Sequence, residues 1–298
     1  MNLNYHIVDV FTNQKFGGNP LAVFPDGRGV SDEMMQLIAK EFNLSETTFV
    51  LPPKSEENDF HVRIFTPSRE LPMAGHPTVG TAYVLAREGF LPASKTHVVF
   101  EEGVGPIPVE LKFQDGQPHM ITMDQPLPTF GPKIQERNLI ADMLSISESD
   151  LDAHLPVEVV SCGVPIILIP IKNLEVMKRL TLKLDVWREH FEKYDASLYM
   201  LTQETELPDS VVHGRMFGPN VSIMEDPATG AAHGPLGSYL VKYGLIQGDA
   251  ALHMISEQGF EMGRPSFIHM SVEGSADQTT RVRVGGESVY MGQGQLQL

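Results

Sequence analysis

Internal similarity constrains this chain more than any other feature. Arg63-Ile64-Phe65-Thr66-Pro67 returns as Arg215-Met216-Phe217-Gly218-Pro219, 152 residues later. Upstream, Gly18-Asn19-Pro20 precedes apolar Leu21-Ala22-Val23-Phe24, and Gly163-Val164-Pro165 precedes Ile166-Ile167-Leu168-Ile169, 145 residues on. Downstream, Thr78 follows Phe65 by thirteen residues, and Thr229 follows Phe217 by twelve. Three matches in the same order at similar spacings predict two lobes built to one plan. The 298 residues are about twice a comfortable single-core length, which agrees. The expected division is 1–125 and 126–298, with a linker in Pro126-Leu127-Pro128 to Gly131-Pro132. The C-terminal strand is a candidate to complete the first lobe.

Element signals recur in both halves. Strands are expected over residues 5–11, 21–24, 49–51 and 62–65, then around Val98, Val109 and Met120, with Asp115-Gly116 as a hairpin turn. Ser31 caps a helix whose Met35, Ile38 and Phe42 share a face. A second helix follows Pro77 to about Glu88, with Gly89 as its stop. In the other half, one helix bears Leu184, Trp187 and Phe191, and another follows Thr229 and ends near Gly244. The helices after Pro77 and Thr229 are apolar on every face, which predicts burial. Pro235 predicts a kink or an irregular first turn in the latter. The fold class expected is α+β: two pseudo-symmetric lobes, each a mostly antiparallel curved sheet or barrel around a central buried helix.

Composition excludes several classes of function. Hydrophobic residues are 42% and charged residues 20%, a packed chain and not a disordered one. Charge sums to 22 − 38 = −16, so no footprint for nucleic acid or anionic membrane is expected. Apolar runs such as 164–169 are too short to span a bilayer. No basic stretch followed by an apolar one opens the chain, and a reducing cytosol is the expected home. Cys162 is the only cysteine, so neither an intrachain disulfide nor a four-cysteine zinc site can form. The eleven histidines show no zinc-ligand spacing, and the late Gly285-Gly286 and Gly292-Gln293-Gly294 lack phosphate-binding glycine spacing. Cys162 reads as packing beside a buried strand more readily than as a nucleophile. Gly263-Arg264-Pro265-Ser266 reads first as a turn with a surface arginine.

The start of a buried helix offers unpaired N–H groups and positive dipole, which favour anions such as carboxylates. Two-fold-related lobes would turn both helix starts toward one cleft, where a small carboxylic acid would sit. Asp226-Pro227 reads first as an ordinary cap followed by the first helical residue, ahead of a chemical role. His76-Pro77 is either a satisfied polar pair at a helix entrance or a substrate partner and proton carrier. Glu46 is either a solvated acid at a strand entrance, or an acid whose pKa Leu44 and Phe49 raise into a useful range. Repeat offsets of 149 and 150 place Asp195 or Ala196 opposite it, so one acid is simpler than a symmetric pair.

At these residues the chain resembles the phenazine-biosynthesis PhzF-like family, within the diaminopimelate epimerase-like superfold. The motifs that carry the resemblance are Val8-Asp9-Val10-Phe11, Gly18-Asn19-Pro20-Leu21-Ala22-Val23-Phe24 and Leu44-Ser45-Glu46-Thr47. They continue through Arg63-Ile64-Phe65-Thr66-Pro67, Glu70-Leu71-Pro72, Ala74-Gly75-His76-Pro77-Thr78, Glu225-Asp226-Pro227-Ala228-Thr229-Gly230 and Gly263-Arg264-Pro265-Ser266. The resemblance implies isomerisation by proton transfer without a cofactor, on a small amino- or hydroxy-carboxylate. The chemistry would be of the trans-2,3-dihydro-3-hydroxyanthranilate isomerase type, in a cytoplasmic homodimer. It makes Glu46 the general acid and base, and His76 and Asp226 its positioning and proton-handling partners. Ser45, Gly75, Thr229, Gly230 and Ala231 would bind substrate. Two departures stand out. Ala74 and Asp226 occupy the places of the epimerases' paired cysteines, and Ala231 replaces a serine of the better-known phenazine-pathway members, a change that can shift substrate choice. The alternative reading is a small-carboxylate binding protein of the same fold without turnover.

Overall fold

A computed structural model describes residues 1–274 and 278–298. The chain forms two compact units, Met1–Gln125 with Arg283–Leu298, and Pro126–Val282. The second unit therefore ends at Val282, short of the C-terminus.

The first unit comprises β1 (Asn2–Val10), β2 (Asn19–Phe24), α1 (Asp32–Phe42), β3 (Glu46–Leu51), β4 (Phe60–Phe65), β5 (Glu70–Leu71), α2 (Gly75–Arg87), β6 (His97–Glu102), β7 (Gly105–Gln114) and β8 (Gln117–Gln125). Ser31 caps α1 by accepting from the Met34 N–H, and Asn43 ends it in the left-handed region. α2 packs against β1, β2, β3, β7, β8 and the C-terminal strand. That encirclement explains a helix with no polar face: ten of its thirteen residues are buried. Gly80 lets the strands come close, since a Cβ there would meet Leu21 and Val10 at 2.6 Å. On the outer face of β2 and β3, α1 covers an aromatic cluster in which Phe24 and Phe49 stack at 4.8 Å.

The second unit comprises β9 (Thr129–Ile134), α3 (Arg137–Met143), β10 (Val157–Ser161), β11 (Pro165–Pro170), α4 (Leu174–Arg179), α5 (Leu184–His190), β12 (Ser197–Thr202), β13 (Val212–Gly218), β14 (Ile223–Asp226), α6 (Gly230–Lys242), β15 (Met254–Gln258) and β16 (Ser266–Gly274). β17 (Thr279–Gly286) runs across the boundary, and β18 (Ser288–Gln297) pairs with β1 in the first unit. α6 packs on β10, β11 and β16 and is buried from Ala232 to Leu240. It runs unbroken through Pro235, its sixth residue, so the expected irregular first turn does not interrupt it. The linker is shorter than anticipated, because Thr129 to Ile134 pair with β10 as a strand.

Pairing confirms the repeat strand by strand. β1–β2 and β10–β11 are antiparallel, and β2–β3 and β11–β12 are parallel. β3–β4 and β12–β13 are antiparallel, whereas β4–β6 and β13–β15 are parallel. Register then fixes equivalent residues. Leu21 faces Glu46 and Ile166 faces Ser197, so the counterpart of Glu46 is Ser197, not Asp195 or Ala196. His61 faces Glu101 as His213 faces Glu257, which makes Glu102 the equivalent of Gln258. Both central helices begin at glycine, Gly75 and Gly230. Thr229 is thus equivalent to Ala74, and the sequence match of Thr229 with Thr78 is one turn out of step.

Candidate active site

In the first unit, three elements bring the candidate residues together. Alternation along β3 sends Glu46 and Thr48 to the α2 side, where Thr48 Oγ1 lies 2.8 Å from Thr81 Oγ1 of α2. Phe49 therefore points to the α1 side, so it is not the apolar neighbour of Glu46 that the sequence suggested. Glu46 is 7% exposed, which overturns its reading as a solvated acid. His76 is the second residue of α2, in the first turn of the helix as the sequence suggested. Its Nε2 stands 3.3 Å from Glu46 Oε2, at an angle short of a formed hydrogen bond. Asn19, the first residue of β2, places its amide nitrogen 3.3 Å from His76 Nδ1. An amide N–H can only donate there, so Nδ1 accepts and the ring hydrogen sits on Nε2, facing Glu46. Burial pushes the His76 pKa down to about 3, so the ring stays neutral and offers that hydrogen without carrying a charge.

The second unit builds a different constellation at the start of α6. Asp226 is the last residue of β14 and 4% exposed, while Thr229 holds the N-cap position. The capping reading of Asp226 therefore fails. Thr229 does not cap with its side chain either; its hydroxyl donates to Asp226 Oδ2 at 2.5 Å. Gln258, at the end of β15, accepts from the Thr229 N–H at 3.3 Å and donates to the Asp226 carbonyl at 2.7 Å and to Thr229 Oγ1 at 3.0 Å. His233 Nδ1 lies 2.7 Å from the Thr229 carbonyl, and only a donated hydrogen fits that contact. Burial lowers the His233 pKa to about 4, so it too is neutral, and its Nε2 accepts from Tyr199 at 3.2 Å. Ala231 is half-buried, whereas Ala232 to Leu240 are buried.

Neither α2 nor α6 has a side-chain hydrogen bond at its N-cap. Gly75 and Gly230 open these turns, and Ser45, half-buried, directly precedes Glu46.

Several residues carry more structure than the sequence revealed. Asn19 was visible only as part of a motif. Gln258 and Glu102 had no local signal, because their equivalence rests on cross-strand register. Cys162 is fully buried, and burial pushes its thiol up to about 12, which fits the packing reading. Arg264 is half-buried in the turn after β15.

Comparison with known proteins places this geometry in context. The family description "Phenazine biosynthesis-like protein" (PhzC-PhzF) matches residues 8–294. An uncharacterized isomerase of Clostridium acetobutylicum is 34% identical, over 99% of this chain and 98% of its own. A trans-2,3-dihydro-3-hydroxyanthranilate isomerase of Pseudomonas fluorescens is 35% identical, over 99% of each chain. A solved PhzF-family structure from Bacillus anthracis superposes with a TM-score of 0.91 at 30% identity, covering 100% of both chains.

Proposed function

Since the chain belongs to the PhzC-PhzF family and is an isomerase, we propose that it moves a proton between two carbons of a small amino- or hydroxy-carboxylate. Glu46 serves as acid and base. The observation that carries this reading is one buried carboxylate, 7% exposed, with a neutral imidazole N–H 3.3 Å from one of its oxygens. In the first step Glu46 takes a proton from carbon, and the electron pair moves into an adjacent unsaturated system. In the second, the same carboxyl, its proton having exchanged with solvent, delivers a proton to a different carbon, so the enzyme ends as it began. His76 acts as a positioning residue, because its depressed pKa unfits it for carrying the proton itself.

In the same reading Asp226, Thr229, Gly230 and Ala231 serve that substrate's polar end, and Ser45 and Gly75 bind alongside Glu46. Ala231 supplies no hydroxyl, so the substrate contact there rests on backbone N–H. The chemistry is of the trans-2,3-dihydro-3-hydroxyanthranilate isomerase type, on a compound for which that hydroxyl is dispensable.

The test is incubation with a metabolite extract in deuterated water. A small carboxylate should gain one mass unit only in the presence of the protein. If no compound gains mass while small carboxylates still raise the melting temperature, the protein binds such acids without turning them over. On family resemblance alone, the reading also makes the protein a cytosolic homodimer. Sedimentation at micromolar concentration should give twice the mass of 33.0 kDa, and a single-chain mass would refute it.

A further inference from the structure

We infer that Gln258 is the positioning residue of the α6 entrance, fixing the Thr229 hydroxyl so that its hydrogen points at Asp226. The inference rests on the proposed function only in treating Asp226 as a group that serves substrate.

The direction of the hydrogen bonds carries it. A hydroxyl has one hydrogen and two lone pairs. Gln258 Nε2 takes a lone pair of Thr229 Oγ1 at 3.0 Å, and Asp226 Oδ2 lies 2.5 Å from the same oxygen. The hydrogen of Thr229 must then go to Asp226, giving a one-way chain from amide to hydroxyl to carboxylate. The same amide also grips the Thr229 N–H and the Asp226 carbonyl. Only a side chain that donates and accepts at once can make all three contacts, which is why an amide stands here.

The strand end bearing Gln258 has little freedom. Its neighbour Glu257, fully buried, meets His213 Nδ1 at 2.8 Å, while His213 Nε2 meets Glu261 Oε1 at 3.0 Å. Burial alone would lower the His213 pKa, but the two carboxylates overcome it and raise it to about 9. The resulting imidazolium ties β15 to the turn Phe260–Met262. Gly259, at φ +80°, follows Gln258, and a Cβ there would meet the Pro227 carbonyl at 2.5 Å and the Arg264 carbonyl at 2.4 Å. The strand end therefore sits directly against the segment between Asp226 and Thr229.

The repeat supplies an independent observation. In the first unit Glu102 occupies the equivalent position and holds Thr78 of α2 at 2.6 Å. Gly103 after it approaches Pro72 as Gly259 approaches Pro227, with a Cβ meeting Pro72 Cα at 2.7 Å. Each unit thus braces the entrance to its central helix from the same strand end. Only the second uses an amide, and only there does the braced hydroxyl serve a carboxylate.

The experiment compares Gln258→Met, Thr229→Val, their double variant and Thr229→Ser. The ¹³Cγ resonance of Asp226, assigned by its absence in Asp226→Asn, reads the hydroxyl contact without any substrate. It should move equally in Gln258→Met and Thr229→Val, no further in the double variant, and hardly at all in Thr229→Ser. Should methionine at 258 fail to fold, Gln258→Asn, which keeps the amide but shortens its reach, gives the same comparison. With a substrate from the deuterium screen, kcat should fall by about ten- to a hundredfold in either single variant, the worth of one hydrogen bond to a charged group. An Asp226 resonance unmoved by the Gln258 substitution, or losses that add in the double variant, overturns the inference. A shifted resonance with unchanged kcat upholds the Gln258 chain and instead removes Asp226 from the reaction.

Discussion

Glutamine in place of Glu46 is expected to slow exchange of substrate hydrogen with solvent by roughly 10²–10⁴-fold, the contribution of a positioned acid–base group. The substitution keeps the shape and size of a side chain that is 7% exposed. It also leaves His76 an amide to contact, so the melting temperature should stay near that of the parent. What disappears is the ability to take a proton from carbon. An amide is far too weak a base for that step at any pH the protein survives. His76 cannot substitute, since its ring hydrogen already faces position 46 and its Nδ1 is held by Asn19. Exchange at the parent rate in Glu46→Gln would remove this residue from the chemistry, whatever its burial. A simultaneous drop in melting temperature would instead mark the loss as one of folding.

Stability should lose its dependence on one buried carboxyl when Glu102 becomes glutamine. Glu102 is 4% exposed, and burial pushes its pKa up to about 8, against the opposing hydrogen bond of Thr78. Its Oε2 has no hydrogen-bond partner among the described residues, as suits a neutral group. The Thr78 hydroxyl lies 2.7 Å from the Ala74 carbonyl and 2.6 Å from Glu102 Oε1. One hydrogen cannot serve two acceptors, so a protonated carboxyl that donates to Thr78 completes the set. The sign follows from linkage. Unfolded, the group ionises near 4.5; folded, it holds its proton to about 8. The native state therefore carries an extra proton in that window, and stability falls as pH rises, by about 1.4 kcal/mol per pH unit. The contribution is complete below 4.5 and gone above about 8. His213 has a raised pKa too and acts in the same direction above 6.5, but parent and variant share that term. Glutamine can donate to Thr78 as Gln258 donates to Thr229 in the other unit. Urea unfolding at pH 5 and pH 8 should thus show Glu102→Gln gaining about 3 kcal/mol or more on the parent across that interval. Parallel stability curves for the two proteins would mean that Glu102 is ionised in the native state.

Much of the architecture was legible because the repeat left marks where packing demands particular residues. Arg63-Ile64-Phe65 and Arg215-Met216-Phe217 lie on equivalent strands, and the two apolar helices are indeed the central ones. The register was harder to read. Proline is tolerated both inside the first turn of a helix and just before it, since no N–H is needed in either place. Pro77 is the third residue of α2, whereas Pro227 lies three residues before α6, so prolines could not align the helix starts. The face that Glu46 presents was equally hidden. Every residue of β3 from Glu46 to Val50 is buried, and the alternation that normally separates inside from outside is therefore absent. Asp226 resembled a cap by composition, yet its carboxylate answers to Thr229 and its backbone to Gln258. Those contacts come from residues 3 and 32 positions away, of which only the first lies within the span of a local motif.

The return of β18 to pair with β1 has a consequence for biogenesis. The unit that holds Glu46 and His76 is split in the chain, with Met1–Gln125 completed by Arg283–Leu298, while Pro126–Val282 is continuous. During synthesis the continuous unit has all its strands available before β18 leaves the ribosome. The sheet around α2 meanwhile stands open along one side of β1. Released chains truncated after Val282 should therefore present the Glu46 unit as an unfinished, protease-sensitive sheet, with Pro126–Val282 closed.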